Sequence, residues 1–80
     1  MEKEKALEKV NKIFIDVLDN EEIVLTDATT ANDVEDWDSL THIQLVVAIE
    51  REFNLRFTSM EIQSWTNVGE MIDCIISKNK

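Results

Sequence analysis

From Ala6 the apolar positions run Ala6, Leu7, Val10, Ile13, Phe14 and Val17. Steps of three and four put these side chains on one stripe of an amphipathic helix. The spacing predicts a first helix over roughly residues 2 to 18. A second helical pattern starts near Ser39 and runs through Leu40, Ile43, Leu45, Val46, Val47, Ala48 and Ile49 to Phe53, with Asn54 as its stop. Thr58 and Glu61 then form the Thr-x-x-Glu pattern of a capping box, which starts a short third helix over about 58 to 65. Asn67, with Glu70 three residues on, starts a fourth helix that carries Val68, Met71, Ile72, Ile75 and Ile76 on one face. It ends in a basic tail, Lys78 and Lys80, suited to the negative end of the helix dipole. Ile23-Val24-Leu25 is a brief β-friendly run, but no period-two stretch is long enough for a strand. The reading is all-α: a four-helix bundle with a long loop between helices 1 and 2 and a short third helix.

The connection from Asp19 to Trp37 exceeds the length usual for a structureless loop in a compact domain. Its apolar residues Ile23, Leu25, Ala28, Val34 and Trp37 are expected to pin it across the bundle. It delivers Asp36-Trp37-Asp38-Ser39-Leu40 to the mouth of the second helix. On that helix Leu45, Val46, Ile49 and Phe53 share one arc and suffice to bury it. Leu40, Gln44, Val47 and Arg51 fall on the opposite side, a stripe the same core does not cover, with Ile43 beside it. Apolar residues on an uncovered stripe next to a helix-mouth serine read as a partner surface.

Composition narrows the possible functions. Eighty residues bound the chain to one small domain, residues 1–80, and 44% apolar with 31% charged residues is too apolar for a disordered acidic tail. Seventeen acids against eight basic residues give −9, a field that repels nucleic-acid phosphates and anionic lipid, so neither nucleic acid nor membrane is an expected partner. The charge is segregated: residues 1–12 and 78–80 hold six lysines and three glutamates, whereas 13–77 hold fourteen acids with only Arg51 and Arg56. A lone Cys74 excludes an intrachain disulfide, and the N-terminal Met1-Glu2-Lys3-Glu4-Lys5 lacks a signal peptide's apolar stretch. The expectation is a cytoplasmic monomer used whole. One glycine and no proline leave no phosphate-cradling loop, and the acids Asp33, Glu35, Asp36 and Asp38 lack the glycine and twelfth-position glutamate of a calcium loop.

The stretch Asp38-Ser39-Leu40 followed by Ile43, Leu45, Val46, Ala48, Ile49, Glu50, Glu52 and Phe53 resembles the acyl carrier protein family. The resemblance runs without a gap from about Trp37 to Ile75, and the first helix and long loop agree with it in length and type. It implies a four-helix bundle of acyl-carrier type that is not itself an enzyme. In that family the serine matched by Ser39 bears 4′-phosphopantetheine, transferred from coenzyme A by a phosphopantetheinyl transferase. Acyl groups are then held as thioesters for partner enzymes of fatty acid, polyketide or specialised biosynthesis. Asp38 is implied as a contact of the transferase and its metal, with Leu40 beside the attachment point. The docking surface is assigned to Leu40, Ile43, Gln44, Val47, Glu50 and Arg51, and the acyl-cavity positions to Val46, Phe57, Ile62 and Trp65. Partner enzymes with basic docking surfaces are expected. The residues are compatible: a hydroxyl at a helix N-terminus is exposed, and a phosphodiester there meets free N–H groups and the positive dipole end, against repulsion from Asp36 and Asp38.

Departures shape the expectation. Where many family members carry acids, this chain has Thr41, Gln44 and Arg51. Trp37 stands where glycine often precedes the motif, which suggests a stand-alone carrier of a specialised pathway. Ile62 and Trp65 are bulkier than the family's usual cavity residues, so a cargo that is short, polar or held on the partner enzyme is expected. His42, one turn after Ser39, invites a nucleophile-and-base reading, but no carboxylate is placed to orient it, and a structural histidine is the expectation. Cys74 is expected to pack rather than react. The same residues also fit an aminoacyl or peptidyl carrier, or an acidic helical interaction module with no covalent group.

Overall fold

The computed structural model describes residues 2–78. Four helices follow in order: α1 Lys3–Leu18, α2 Ser39–Phe53, α3 Ser59–Ser64 and α4 Val68–Lys78, with no strand among the described residues. Lys80 of the expected basic tail lies outside them. The third helix is one residue shorter at each end than its pattern predicts. Thr58 and Trp65 are its extended caps, and Thr58 and Glu61 exchange both bonds of the capping box. Two helices stop in left-handed residues, Asp19 (φ 52°) and Asn54 (φ 53°). Their N–H groups return to Ile15 and Glu50 carbonyls, and Asn is among the residues that tolerate this conformation.

The core is the convergence of the predicted stripes. Ala6, Val10, Ile13 and Phe14 of α1 meet Leu45, Ile49 and Phe53 of α2 and Val68, Met71, Ile72 and Ile75 of α4. The apolar face of each of these helices is covered by the others, which is what the three-and-four spacing requires.

The loop over residues 19–38 is ordered by two devices. Locally it is a string of turns, closed by backbone bonds Ile23 to Asn20, Thr29 to Thr26, Asp33 to Thr30 and Trp37 to Val34. At long range it is clamped at both ends of its middle section. The Asn11 side chain on α1 donates to the Ile23 carbonyl (3.1 Å) and accepts from the Leu25 N–H (2.6 Å). One amide thus serves Ile23-Val24-Leu25 as a strand neighbour would, and no sheet forms. Farther on, the Val68 and Gly69 N–H groups at the start of α4 donate to the Thr29 and Asp27 carbonyls (2.8 and 2.9 Å). The loop therefore caps α4, satisfying donors a helix start leaves open. This approach requires glycine, because a Cβ on residue 69 would lie 2.9 Å from the Asp27 carbonyl oxygen. Ile23, Leu25, Val34 and Trp37 are buried as expected, whereas Ala28 is exposed on the outside of the turn that docks on α4.

Candidate functional site

The end of the loop and the start of α2 are locked together by Asp38 and Thr41. The Asp38 carboxylate accepts from the Leu40 and Thr41 N–H groups (3.0 and 2.9 Å). The Asp38 N–H donates to the Thr41 hydroxyl (2.8 Å), which itself donates to the Asp36 carbonyl (2.9 Å). These bonds, led by that from the Thr41 N–H, hold the Asp38 carboxyl below its ordinary pKa, so it stays ionised. Asp38 is the N-cap, and Ser39 is the first residue of the helix.

That division matters for Ser39. A helix-mouth serine usually caps with its own oxygen; here the carboxylate has taken that task. The Ser39 hydroxyl is exposed and makes no hydrogen bond within the described residues. The expectation of several free N–H groups for an incoming phosphate is corrected by the same fact, since those of Leu40 and Thr41 already bond Asp38.

Beside Ser39 lies a cleft of about 300 Å3 lined by Ala31, Trp37, Asp38, Ser39, His42, Trp65, Thr66 and Asn67. Its walls belong to a chain of rings. Phe14 meets the buried Trp37 edge-on at 4.9 Å, Trp37 stacks on His42 at 5.9 Å, His42 meets Trp65 at 6.1 Å, and Trp65 meets Phe57 edge-on at 4.8 Å. Trp37 Nε1 donates to His42 Nδ1 (3.0 Å), which fixes the imidazole tautomer with its proton on Nε2. Burial pushes the His42 pKa down, against an opposing effect from the Ile62 backbone. His42 makes no hydrogen bond to Ser39, so the structural reading of this histidine stands.

The four expected acyl-cavity residues are not brought together around this cleft. Trp65 lines it; Val46, Phe57 and Ile62 do not. Val46 lies on the buried arc of α2 with 4% exposure, Phe57 is half-buried against the Trp65 ring, and Ile62 is half-buried on α3.

On the opposite face of α2, Leu40 (68% exposed), Ile43 (62%) and Val47 (44%) form the uncovered apolar stripe, and Gln44 and Arg51 are exposed beside them. Glu50 departs from its expected role. It is half-buried, and its carboxylate accepts the Phe57 N–H at 2.8 Å, tying the α2–α3 connection to α2. Val47, Glu50, Arg51, Asn54, Leu55 and Arg56 line a shallow depression at the far end of the stripe, so the two arginines of the acidic region converge there.

Sequence reasoning passed over Asn11 and Gly69. A polar residue in an amphipathic helix reads as solvent-facing, and only the position of the loop shows what Asn11 bonds. Cys74 is half-buried, with its thiol directed at Glu61 (3.6 Å) and its pKa pushed up by burial and then by that carboxylate, as expected of a packing cysteine.

Residues 8–75 match the family model described as a phosphopantetheine attachment site. The chain is 39% identical over 77 residues to the acyl carrier protein of Cyanidium caldarium, covering 95% of this chain and 88% of that one. It is 33% identical over 73 residues to the acyl carrier protein of Buchnera aphidicola subsp. Acyrthosiphon pisum (strain 5A), covering 90% of each. In three dimensions it is similar to the solution NMR structure of the holo acyl carrier protein of Geobacter metallireducens, with a TM-score of 0.86 and 40% identity over 91% of this chain and 84% of that one. An all-helical fold of this topology with a phosphopantetheine attachment region defines a prosthetic-group carrier. The chain belongs to the acyl carrier protein family; its prosthetic group is 4′-phosphopantetheine, and its members act as carriers rather than catalysts.

Proposed function

We propose that Ser39 is the attachment point and that the chain, as one carrier domain, presents acyl groups to a set of enzymes it visits in turn. One observation carries the assignment: Ser39 stands at the first position of α2 with its hydroxyl exposed and, among the described residues, unbonded, while Asp38 caps the helix. In the loading step the Ser39 oxygen attacks the pyrophosphate of coenzyme A. A serine–phosphorus bond forms, adenosine bisphosphate leaves, and the hydroxyl proton passes to the transferase site or to water. When bound, the group supplies a terminal thiol on which acyl thioesters form. Asp38 and Thr41 hold the serine at a fixed place and angle, so an incoming transferase meets a rigid target. Asp38, kept ionised, is the residue to which we assign contact with the metal of that transferase.

Docking is assigned to Leu40, Ile43, Gln44 and Val47, with Arg51 at the end of the stripe. The partners are a phosphopantetheinyl transferase and acyl-transferring or synthase enzymes. The acidic charge of the body favours basic partner surfaces, and Arg51 with Arg56 selects among them. The address we assign is cytoplasmic; among the described residues no helix is long and apolar enough to cross a membrane.

The test is incubation with a broad-specificity phosphopantetheinyl transferase and coenzyme A, read by intact-protein mass. The expected result is the gain of one phosphopantetheinyl group, abolished in Ser39→Ala and retained in His42→Gln. An unchanged mass with a transferase active on a control carrier would overturn the assignment and leave a non-covalent acidic interaction module as the reading.

A further inference from the structure

Resting on Ser39 as the attachment point, we propose that the acyl group this carrier holds is short and polar and stays in water. Trp37, His42, Trp65 and Phe57 fill the way into the bundle that an alkyl chain would need.

The route inward from Ser39 begins at the cleft beside it, whose walls are Trp37, His42 and Trp65. Behind them no ring is free to swing aside alone. Trp37 is buried, packed edge-on against Phe14 in the core, and bonded through its indole N–H to His42. His42 lies between Trp37 and Trp65, and Trp65 is backed by Phe57. Admitting an alkyl chain would separate these pairs and leave the Trp37 indole N–H without its acceptor in the interior, a cost that offsets the gain from burying the chain's first methylenes. The core beyond is already filled by Phe14, Leu45, Ile49, Met71, Ile72 and Ile75, all buried.

The mouth of the cleft is polar as well as aromatic. Asp38, Thr66 and Asn67 line it, and the Asp38 carboxyl is kept ionised. A group resting there meets hydrogen-bonding side chains and a charge beside the rings, which gives a hydroxyl or amide on the acyl group partners that a saturated chain cannot use. A long alkyl chain on this protein would therefore stand exposed on the surface. Trp65, the cap at the end of α3, is the specificity-determining residue, since it closes the cleft on the side facing Trp37 and His42.

The experiment loads the full chain with butyryl, 3-hydroxybutyryl, octanoyl and palmitoyl pantetheine through the transferase, confirms each by mass, and reads three properties. For the wild type, the thermal midpoint should not change with chain length. Cleavage of the thioester by neutral hydroxylamine should proceed at one rate across the series. Retention on a phenyl column should climb steeply from butyryl to palmitoyl, reporting an exposed chain. In Trp65→Leu and Trp65→Ala, octanoyl should raise the midpoint, slow hydroxylamine cleavage and reduce retention relative to the same load on the wild type. A wild-type midpoint that rises with chain length, with cleavage slowing in step, overturns the proposal. So does a flat series in both Trp65 variants, which would place the block elsewhere. Failure to load at all is a different result, because it removes the attachment reading on which the proposal rests.

Discussion

The Trp37 indole N–H donates to His42 Nδ1 at 3.0 Å, joining the end of the long loop to the first turns of α2 one residue either side of the Asp38–Thr41 clamp. Protonation of Nδ1 turns the acceptor into a donor and breaks this bond. Burial already lowers the His42 pKa from 6.5. The folded state therefore binds the proton less readily than the unfolded chain, and the contribution to stability is full above pH 6.5 and is lost as pH falls through the lowered value. Urea unfolding of the wild type should show a midpoint that declines from pH 7.5 to pH 5.5. His42→Phe, which leaves the buried indole N–H unpaired, should cost about 1–3 kcal/mol at pH 7.5 and lose this part of the pH dependence. A decline of equal size in the variant would assign the titration to another group.

A second acid-sensitive tie joins α3 to α4. Glu61 accepts from the Thr58 N–H (2.8 Å) and pairs with Lys78 (2.9 Å). Those contacts, the Thr58 backbone first, hold its pKa at about 2 against 4.5 for the free group. The folded state is the poorer proton binder here too, so the contribution is present above pH 4.5 and disappears as pH falls from 4.5 toward about 2. Glu61→Gln should flatten the thermal midpoint over that window and leave the decline near pH 6 intact. The separation of the two windows identifies the groups.

Gly69 reverses a familiar trend. Glycine inside a helix normally costs about 1 kcal/mol relative to alanine, so Gly69→Ala would stabilise an ordinary helix. Here the added Cβ meets the Asp27 backbone carbonyl at 2.9 Å, which has no side-chain freedom to yield. The substitution should destabilise by about 1–3 kcal/mol, and hydrogen exchange at Val68 and Gly69, whose N–H groups bond the loop, should accelerate. A stabilised Gly69→Ala would show that the loop does not dock there.

These relationships divide by how far apart in sequence their partners lie. The helices were legible because their signals are local: Asn54 stops α2, Thr58 and Glu61 reciprocate over three residues, and Asn67 accepts from the Glu70 N–H (2.9 Å). The buried arc of α2 likewise follows from its own spacing. The ordering of the loop was not legible, because Asn11 bonds residues twelve and fourteen positions away and no periodicity marks it. Nor could spacing say whether Asp38 or Ser39 caps α2, since both residue types favour that position; only the bonds to Leu40 and Thr41 decide it. Replacing Asn11 by Leu, which removes both bonds to the loop, should cost about 1–3 kcal/mol and increase proteolysis between Asn20 and Leu25.

Docking and folding separate along α2. Val47 is 44% exposed on the face away from the core, so Val47→Asp should leave the thermal midpoint nearly unchanged and slow modification by the transferase about tenfold, or about 1.4 kcal/mol in transition-state binding. Glu50, one turn after Val47 and next to Arg51, should behave oppositely. Glu50→Ala strips the acceptor from the Phe57 N–H and should lower stability by about 1 kcal/mol with little direct effect on docking. Arg51→Glu tests the electrostatic half of the surface: it adds acid where this chain is basic, so kcat/KM with a fatty-acid-synthase-type enzyme bearing a basic docking patch should rise several-fold at low salt and converge with wild type as salt increases. A Val47→Asp protein that unfolds would return that residue to the core and remove the stripe as a docking surface.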